Sequence, residues 1–160
     1  MIRGIHHVAI HTPDIDHLRT FYEQAFGFTV VGEEMKLEDF PDVDRITGVR
    51  GGKARVVMMK CSNCFIELFE WSQPRARRAP PLEPSDHGYT HFCVSVTDIE
   101  AEYERLAELG MRFVNPEPVR SGPYGSVYGR DPDGNYIEIM QAPPDDAMHL
   151  EIAGEADGVR

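Results

Sequence analysis

The sequence predicts an α+β fold in which one short unit is used twice. Three observations carry that reading. The segment His7-Val8-Ala9-Ile10-His11-Thr12-Pro13-Asp14-Ile15 aligns without gaps on His91-Phe92-Cys93-Val94-Ser95-Val96-Thr97-Asp98-Ile99, so each copy opens with a strand that runs into a helix start. The copies also end alike, in Phe65-Ile66-Glu67-Leu68 and Tyr136-Ile137-Glu138-Ile139. Between these ends the apolar period changes from two to about 3.6 and back, the mark of a strand, a helix and further strands.

A chain of 160 residues suits one compact domain and is too short for two ordinary independent ones. We therefore expect a single domain over 1–160: module 1 at about 5–71, a connection at 72–88, module 2 at about 89–141 and a tail at 142–160. In the first helix Asp14 or Asp16 lies near the N-cap, Leu18, Phe21, Tyr22 and Ala25 recur at helical spacing, and Gly27 follows the end. The second helix repeats the pattern, with Asp98 as cap, Ile99, Tyr103, Leu106 and Ala107 as the buried stripe and Gly110 as the stop. Asp131-Pro132-Asp133-Gly134-Asn135 predicts a hairpin, because proline, aspartate and glycine adopt turn conformations that other residues resist. Ser62-Asn63 predicts a second one, with Cys61 and Cys64 opposite each other. The connection at 72–88 holds four prolines and little apolar pattern. The tail lacks periodicity, although Met148 to Ile152 offer apolar side chains for docking.

The formal net charge is −11, from 27 acidic and 16 basic residues, which repels polyanions and excludes nucleic acid as the expected partner. Arg75, Arg77 and Arg78 cluster locally and suit an anionic small molecule, although a solvated loop explains them as well. No apolar run approaches the roughly 20 residues of a membrane span, and no secretion-signal layout opens the chain, so a cytoplasmic location without membrane contact is expected. Three cysteines, Cys61, Cys64 and Cys93, fit reduced thiols. The Cys61/Cys64 spacing has no second pair to complete a tetrahedral zinc site.

Alternation within the strands supplies the functional clue. One face carries Val8 and Ile10, Ile66 and Leu68, Phe92, Val94 and Val96, and Ile137 and Ile139, and should pack under the helices. The other carries His7, Ala9 and His11; Phe65, Glu67 and Phe69; His91, Cys93 and Ser95; Tyr136, Glu138 and Met140. Each strand thus sends one imidazole or carboxylate to its second face. A lone His or Glu there would read as an ordinary solvated residue. Four at equivalent places of a repeated unit, among Phe65, Phe69, Tyr136 and Met140, suggest a shared site, in which burial of the carboxylates is compensated by a divalent cation.

These motifs together, with Phe21-Tyr22 and Phe26-Gly27-Phe28 in the first helix and after it, resemble the glyoxalase and methylmalonyl-CoA epimerase branch of the vicinal oxygen chelate superfamily, from about Ile5 to Gln141. The resemblance implies paired βαβββ modules forming a cupped mixed β-sheet with helices on the outer face. It implies one metal (Zn, Ni, Co, Mn or Fe) held by His7, Glu67, His91 and Glu138. It also implies a homodimer, in some relatives with ligands from both chains at one site. Epimerases of this branch often have glutamine at the second position, from which Glu67 departs.

The implied chemistry is that of a lyase or isomerase. A metal acting as Lewis acid stabilises the enolate formed when the carbon beside a carbonyl of a small-molecule substrate loses a proton. Glu138 is the expected proton carrier, Glu67 its counterpart and His11 a further acid or base. A ring-cleaving dioxygenase using Fe(II) on His7, His91 and Glu138 competes with this reading, as does a drug-sequestering binding protein. Loops 35–53 and 72–88 are expected at the cavity mouth, with Arg50, Lys53 and Arg55 available to an anionic group.

Overall fold

The computed structural model describes residues 1–38, 40–75 and 82–152. The chain forms two compact units, Met1–Ala79 and Pro80–Arg160. Arg77 and Arg78 lie outside the described residues, and Arg75 is exposed.

In the first unit β1 (His7–His11) leads into α1 (Ile15–Phe26), followed by β2 (Thr29–Val30), β3 (Met35–Leu37), α2 (Pro41–Thr47), β4 (Lys53–Cys61) and β5 (Cys64–Gln73). The sheet runs β1-β5-β4-β2, with β3 also on β4. β1 pairs parallel with β5, setting His7 opposite Phe65 and Ala9 opposite Glu67. β4 and β5 form the hairpin expected at Ser62-Asn63, with Cys61 opposite Cys64. The second unit repeats the plan with β6 (His91–Ser95), α3 (Ile99–Glu108), β7 (Arg112–Phe113), β8 (Val119–Ser121), β9 (Tyr124–Arg130) and β10 (Tyr136–Gln141). Its sheet runs β6-β10-β9-β7, with β8 on β9. β6 is parallel to β10, and β9 and β10 form the hairpin predicted from the Asp-Pro-Asp-Gly turn. The fold class is α+β, as the repeat predicted.

Helices α1 and α3 begin as their sequences dictate. Asp14 Oδ1 accepts the His17 N–H at 3.0 Å and Asp98 Oδ1 the Ala101 N–H at 3.1 Å, each satisfying an otherwise orphaned donor of the first turn. Gly27 ends α1 at φ 67°, a left-handed conformation that glycine adopts without a Cβ penalty. A second tie recurs in both units: the N–H of Ile15 donates to Glu70 Oε2 at 3.0 Å and that of Ile99 to Gln141 Oε1 at 3.1 Å. Glu70 and Gln141 each stand three residues past the repeated glutamate, so the strand that carries that glutamate also anchors the helix.

The structure corrects two expectations about packing. Ile66, Leu68, Ile137 and Ile139 are no more than 1% exposed, but Val8 is 37% exposed and Phe92 is half-buried. The reason is that α1 lies on β4 and β5 and α3 on β10, while β1 and β6 are edge strands that the helices leave half covered. In α3, Ile99 and Leu106 are buried, whereas Tyr103 is half-buried and Ala107 exposed. Tyr103 instead stacks on Phe113 with centroids 4.2 Å apart and donates its hydroxyl to the carbonyl of Asn115 at 3.0 Å. Segment 35–53, read from sequence as a loop, contains β3 and α2. With Pro41 in its first turn, Gly48 after its end and no residue buried, α2 has no apolar stripe for periodicity to reveal.

Candidate functional site

In each unit the register brings one imidazole and one carboxylate together by the same diagonal step across a parallel strand pair. His7 Nε2 stands 3.4 Å from Glu67 Oε2, with 38% and 18% of the two side chains exposed. His91 Nε2 stands 3.4 Å from Glu138 Oε2, with 28% and 18% exposed. Among the described residues, neither unit by itself gathers three or more His, Cys, Asp or Glu side chains able to hold an ion. Each offers a pair.

The far nitrogen of each imidazole is already engaged by the preceding residue. His7 Nδ1 lies 2.9 Å from His6 Nδ1, and His91 Nδ1 lies 2.9 Å from Thr90 Oγ1. The tautomer that carries its proton on Nδ1 leaves Nε2 with a lone pair turned toward the carboxylate, the arrangement of a metal-ligating histidine. Donors about 2.0–2.2 Å from one ion lie roughly 3.0–3.5 Å apart, so both Nε2–O separations of 3.4 Å suit two donors on a common metal. Neutral imidazole and carboxylate together fit a divalent first-row ion.

Around the pairs the units differ. Glu138 is held further: Ser126 Oγ donates to its Oε1 at 2.6 Å, and the Tyr128 hydroxyl lies 3.4 Å from Oε2 and 3.2 Å from His91 Nε2. Burial, reinforced by Glu138, raises the Tyr128 pKa. Burial, again with Glu138 beside it, pushes the Cys93 thiol up to about 12, so Cys93 remains protonated at neutral pH. In the first unit the residue opposite Glu67 is Met58, and Val56 stands opposite Phe69. The surroundings there are aromatic, with His6 stacked on Phe65 at 4.7 Å and Phe69 on Trp71 at 5.5 Å.

His11 occupies the same face of β1 as His7 and is exposed. Its Nδ1 stands 3.1 Å from the carbonyl of Phe69, an oxygen that only accepts, so Nδ1 is the donor of this contact and Nε2 takes no part in it. Arg55 is not available to an anionic substrate. It binds Glu34 in bidentate fashion at 2.7 and 2.9 Å, Asp16 at 3.0 Å and Glu70 at 3.3 Å on the helix side of the sheet. Lys53 pairs with Glu38 at 3.1 Å, and Arg50 is exposed. In the second unit the Arg130 guanidinium lies 3.7 Å above the Tyr136 ring, and Glu83 accepts from both, at 2.9 Å and 2.8 Å. This fastens the start of the second unit to β9 and β10.

Sequence reading singled out neither Ser126 nor Tyr128, nor His6 and Thr90 as partners of the histidines. The signal for Tyr128 was present. Counting back across the 131–135 turn from Tyr136 opposite Arg130 places Tyr128 opposite Glu138.

Comparison with known proteins bears on the family and the fold. A family model described as the Glyoxalase/Bleomycin resistance protein/Dioxygenase superfamily matches residues 4–139. A 2-epi-5-epi-valiolone epimerase from Actinomyces sp. is 32% identical over 154 residues, covering 88% of this chain and 80% of the relative. An ethylmalonyl-CoA/methylmalonyl-CoA epimerase from Cereibacter sphaeroides is 29% identical, covering 88% of this chain and 99% of the relative. Among solved structures, a glyoxalase family protein from Bacillus cereus superposes with a TM-score of 0.78 at 22% identity, over 88% of this chain and 95% of the other. That likeness speaks for the fold alone.

Proposed function

The chain belongs to the Glyoxalase/Bleomycin resistance protein/Dioxygenase superfamily, and from that premise we propose that it is a divalent-metal-dependent isomerase or lyase acting beside the carbonyl of a small-molecule substrate. One observation carries this reading. The repeated unit twice delivers a histidine Nε2 and a carboxylate oxygen 3.4 Å apart, with Nδ1 engaged in each case. His7, Glu67, His91 and Glu138 would hold one metal, two donors from each unit, taken from one chain or from two copies. Bound there, the ion would act as a Lewis acid toward the substrate carbonyl.

The protein's own part is proton handling and orientation. A carboxylate at the site takes the proton from the carbon next to the carbonyl, and Glu138 is the group assigned to it. Epimerisation then needs an acid for the other face of the planar intermediate, and Glu67 is the second carboxylate available. His11, with Nε2 free of its backbone bond, can receive or supply a proton at a substrate hydroxyl. The two relatives named as epimerases support the isomerase form of this proposal.

The test is Glu138→Gln in chain reconstituted with Co, Ni, Zn, Mn or Fe(II), assayed on a panel of carbonyl compounds for turnover and for solvent deuterium incorporation beside the carbonyl. The variant should fold normally and lose about 10²- to 10⁴-fold in turnover. Undiminished exchange would remove Glu138 from the mechanism, and oxygen uptake with catechols under Fe(II) would replace the proposal with ring cleavage.

A further inference from the structure

The two pairs are not equivalent, and the difference lies in the strand that faces each glutamate. β9 stands opposite Glu138 with Tyr128 and carries Ser126 two residues away, while β4 stands opposite Glu67 with Met58 and carries Val56 two residues away. Glu138 therefore has Ser126 Oγ at 2.6 Å on one oxygen and the Tyr128 hydroxyl at 3.4 Å on the other. The Tyr128 hydroxyl also sits 3.2 Å from His91 Nε2. Glu67 faces a thioether and a methyl-bearing side chain across the same hairpin.

The polar row on β9 is built into the strand. Its alternate positions are Gly125, Val127 and Gly129. A Cβ on Gly125 would come within 2.9 Å of Ile99 Cγ2, and one on Gly129 within 2.5 Å of Met111 Cε and 3.0 Å of Phe113 Cδ1. The chain that leads from α3 into β7, and α3 itself, thus press directly on the β9 backbone from one side. With its rear face fixed in this way, β9 presents Ser126 and Tyr128 to β10 in one register.

The geometry points to Ser126 and Tyr128 as positioning residues that hold Glu138 and His91 in their ligating arrangement, making the second unit the preorganised half of the metal site and leaving the Glu67 half to adapt. The inference rests on the metal-site reading above and goes beyond it by assigning unequal roles to the halves. A carboxylate already fixed by a hydroxyl loses little freedom when an ion binds, whereas one without such a bond must be ordered at that moment. Tyr128 has a further consequence. With a metal on His91 Nε2, the Tyr128 hydroxyl would be left to donate to Glu138 Oε2 alone.

The experiment titrates Co(II) into the full chain as wild type, Ser126→Ala, Ser126→Thr, Tyr128→Phe and Met58→Leu, reading the dissociation constant by calorimetry and the ligand field by visible absorption. Ser126→Ala and Tyr128→Phe should each weaken Co(II) binding about tenfold to a hundredfold and alter the visible band. Ser126→Thr, which keeps the hydroxyl, should restore wild-type behaviour, and Met58→Leu should change neither readout. Wild-type affinity and spectrum in both Ser126→Ala and Tyr128→Phe would overturn the positioning role while the metal site stands. No Co(II) binding by wild type would instead overturn the metal-site reading, and this assignment with it. Tyr128→Phe and Ser126→Thr keep the comparison decisive should Ser126→Ala fail to fold.

Discussion

At the scale of single residues, fully buried polar groups reveal what the chain cannot give up. Asp131 is 0% exposed, and its carboxylate accepts the N–H groups of Asp133 at 3.0 Å and Asn135 at 2.9 Å and the Asn135 side-chain amide at 2.9 Å. It closes the turn that sets the β9–β10 register and therefore fixes which residue faces Glu138. Asp131→Ala leaves several donors without their acceptor, and each unsatisfied buried group costs about 1–3 kcal/mol. We expect a loss of roughly 2–4 kcal/mol, as is typical of breaking a buried network, read as a drop in the urea midpoint; a change within about 0.5 kcal/mol would show that the turn holds without the carboxylate. The sequence made this turn legible because aspartate, proline and glycine each have a distinct conformational reason to be there. It made His7, Glu67, His91 and Glu138 legible through repetition. Ser126 and Tyr128 escaped the same reading because β4 has no hydroxyl at the matching places, and a role present in one copy leaves no mark in a comparison of the two.

At the scale of elements, the first unit is joined by Arg55, which ties β4 to the N-terminus of α1 through Asp16, to the approach to β3 through Glu34 and to β5 through Glu70. Glu70 in turn anchors the first N–H of α1. The Arg55 guanidinium holds the carboxyls of Asp16 and Glu34 below their ordinary values of 3.8 and 4.5, chiefly by hydrogen bonding. A carboxylate depressed in the folded state stabilises the protein above its unfolded pKa, and that stabilisation is lost as pH falls through the folded value. Thermal stability should accordingly decline below about pH 4.5, and Arg55→Met should flatten that decline while lowering Tm at neutral pH by a few degrees. Parallel pH profiles for wild type and variant would show that the guanidinium does not set them. Sequence placed α1 and α3 and their N-caps well, since cap residues and apolar stripes are local, and missed α2. It offered Arg55 to an anionic group, whereas carboxylates of the chain engage the guanidinium, because the side of the sheet to which a long cation turns depends on partners as distant in sequence as Asp16 and Glu34. It also overrated the burial of Val8 and Phe92, because alternation reports which face a residue occupies and not whether a helix covers that stretch of sheet.

At the scale of the whole molecule, the duplication raises the question of how many ions the chain holds. Two independent pairs would make two separate sites of two donors each, and disabling one would halve the metal bound and leave the other untouched. A single site fed by both units behaves differently, because removing either pair takes half the ligands from the only ion. We expect one Co(II) per chain in the wild type, and near-complete loss of binding in both His7→Ala/Glu67→Ala and His91→Ala/Glu138→Ala. The second variant should be the weaker binder, since it also strands Ser126 and Tyr128 without the carboxylate they orient. Mixing the two variants adds information that neither gives alone. If the pairs that meet come from different copies, a mixed dimer contains one intact site and recovers metal; if they come from the same chain, no combination of copies does. A stoichiometry of two in the wild type, or half-occupancy surviving in either double variant, would mean that the repeat built two weak sites instead of one strong one.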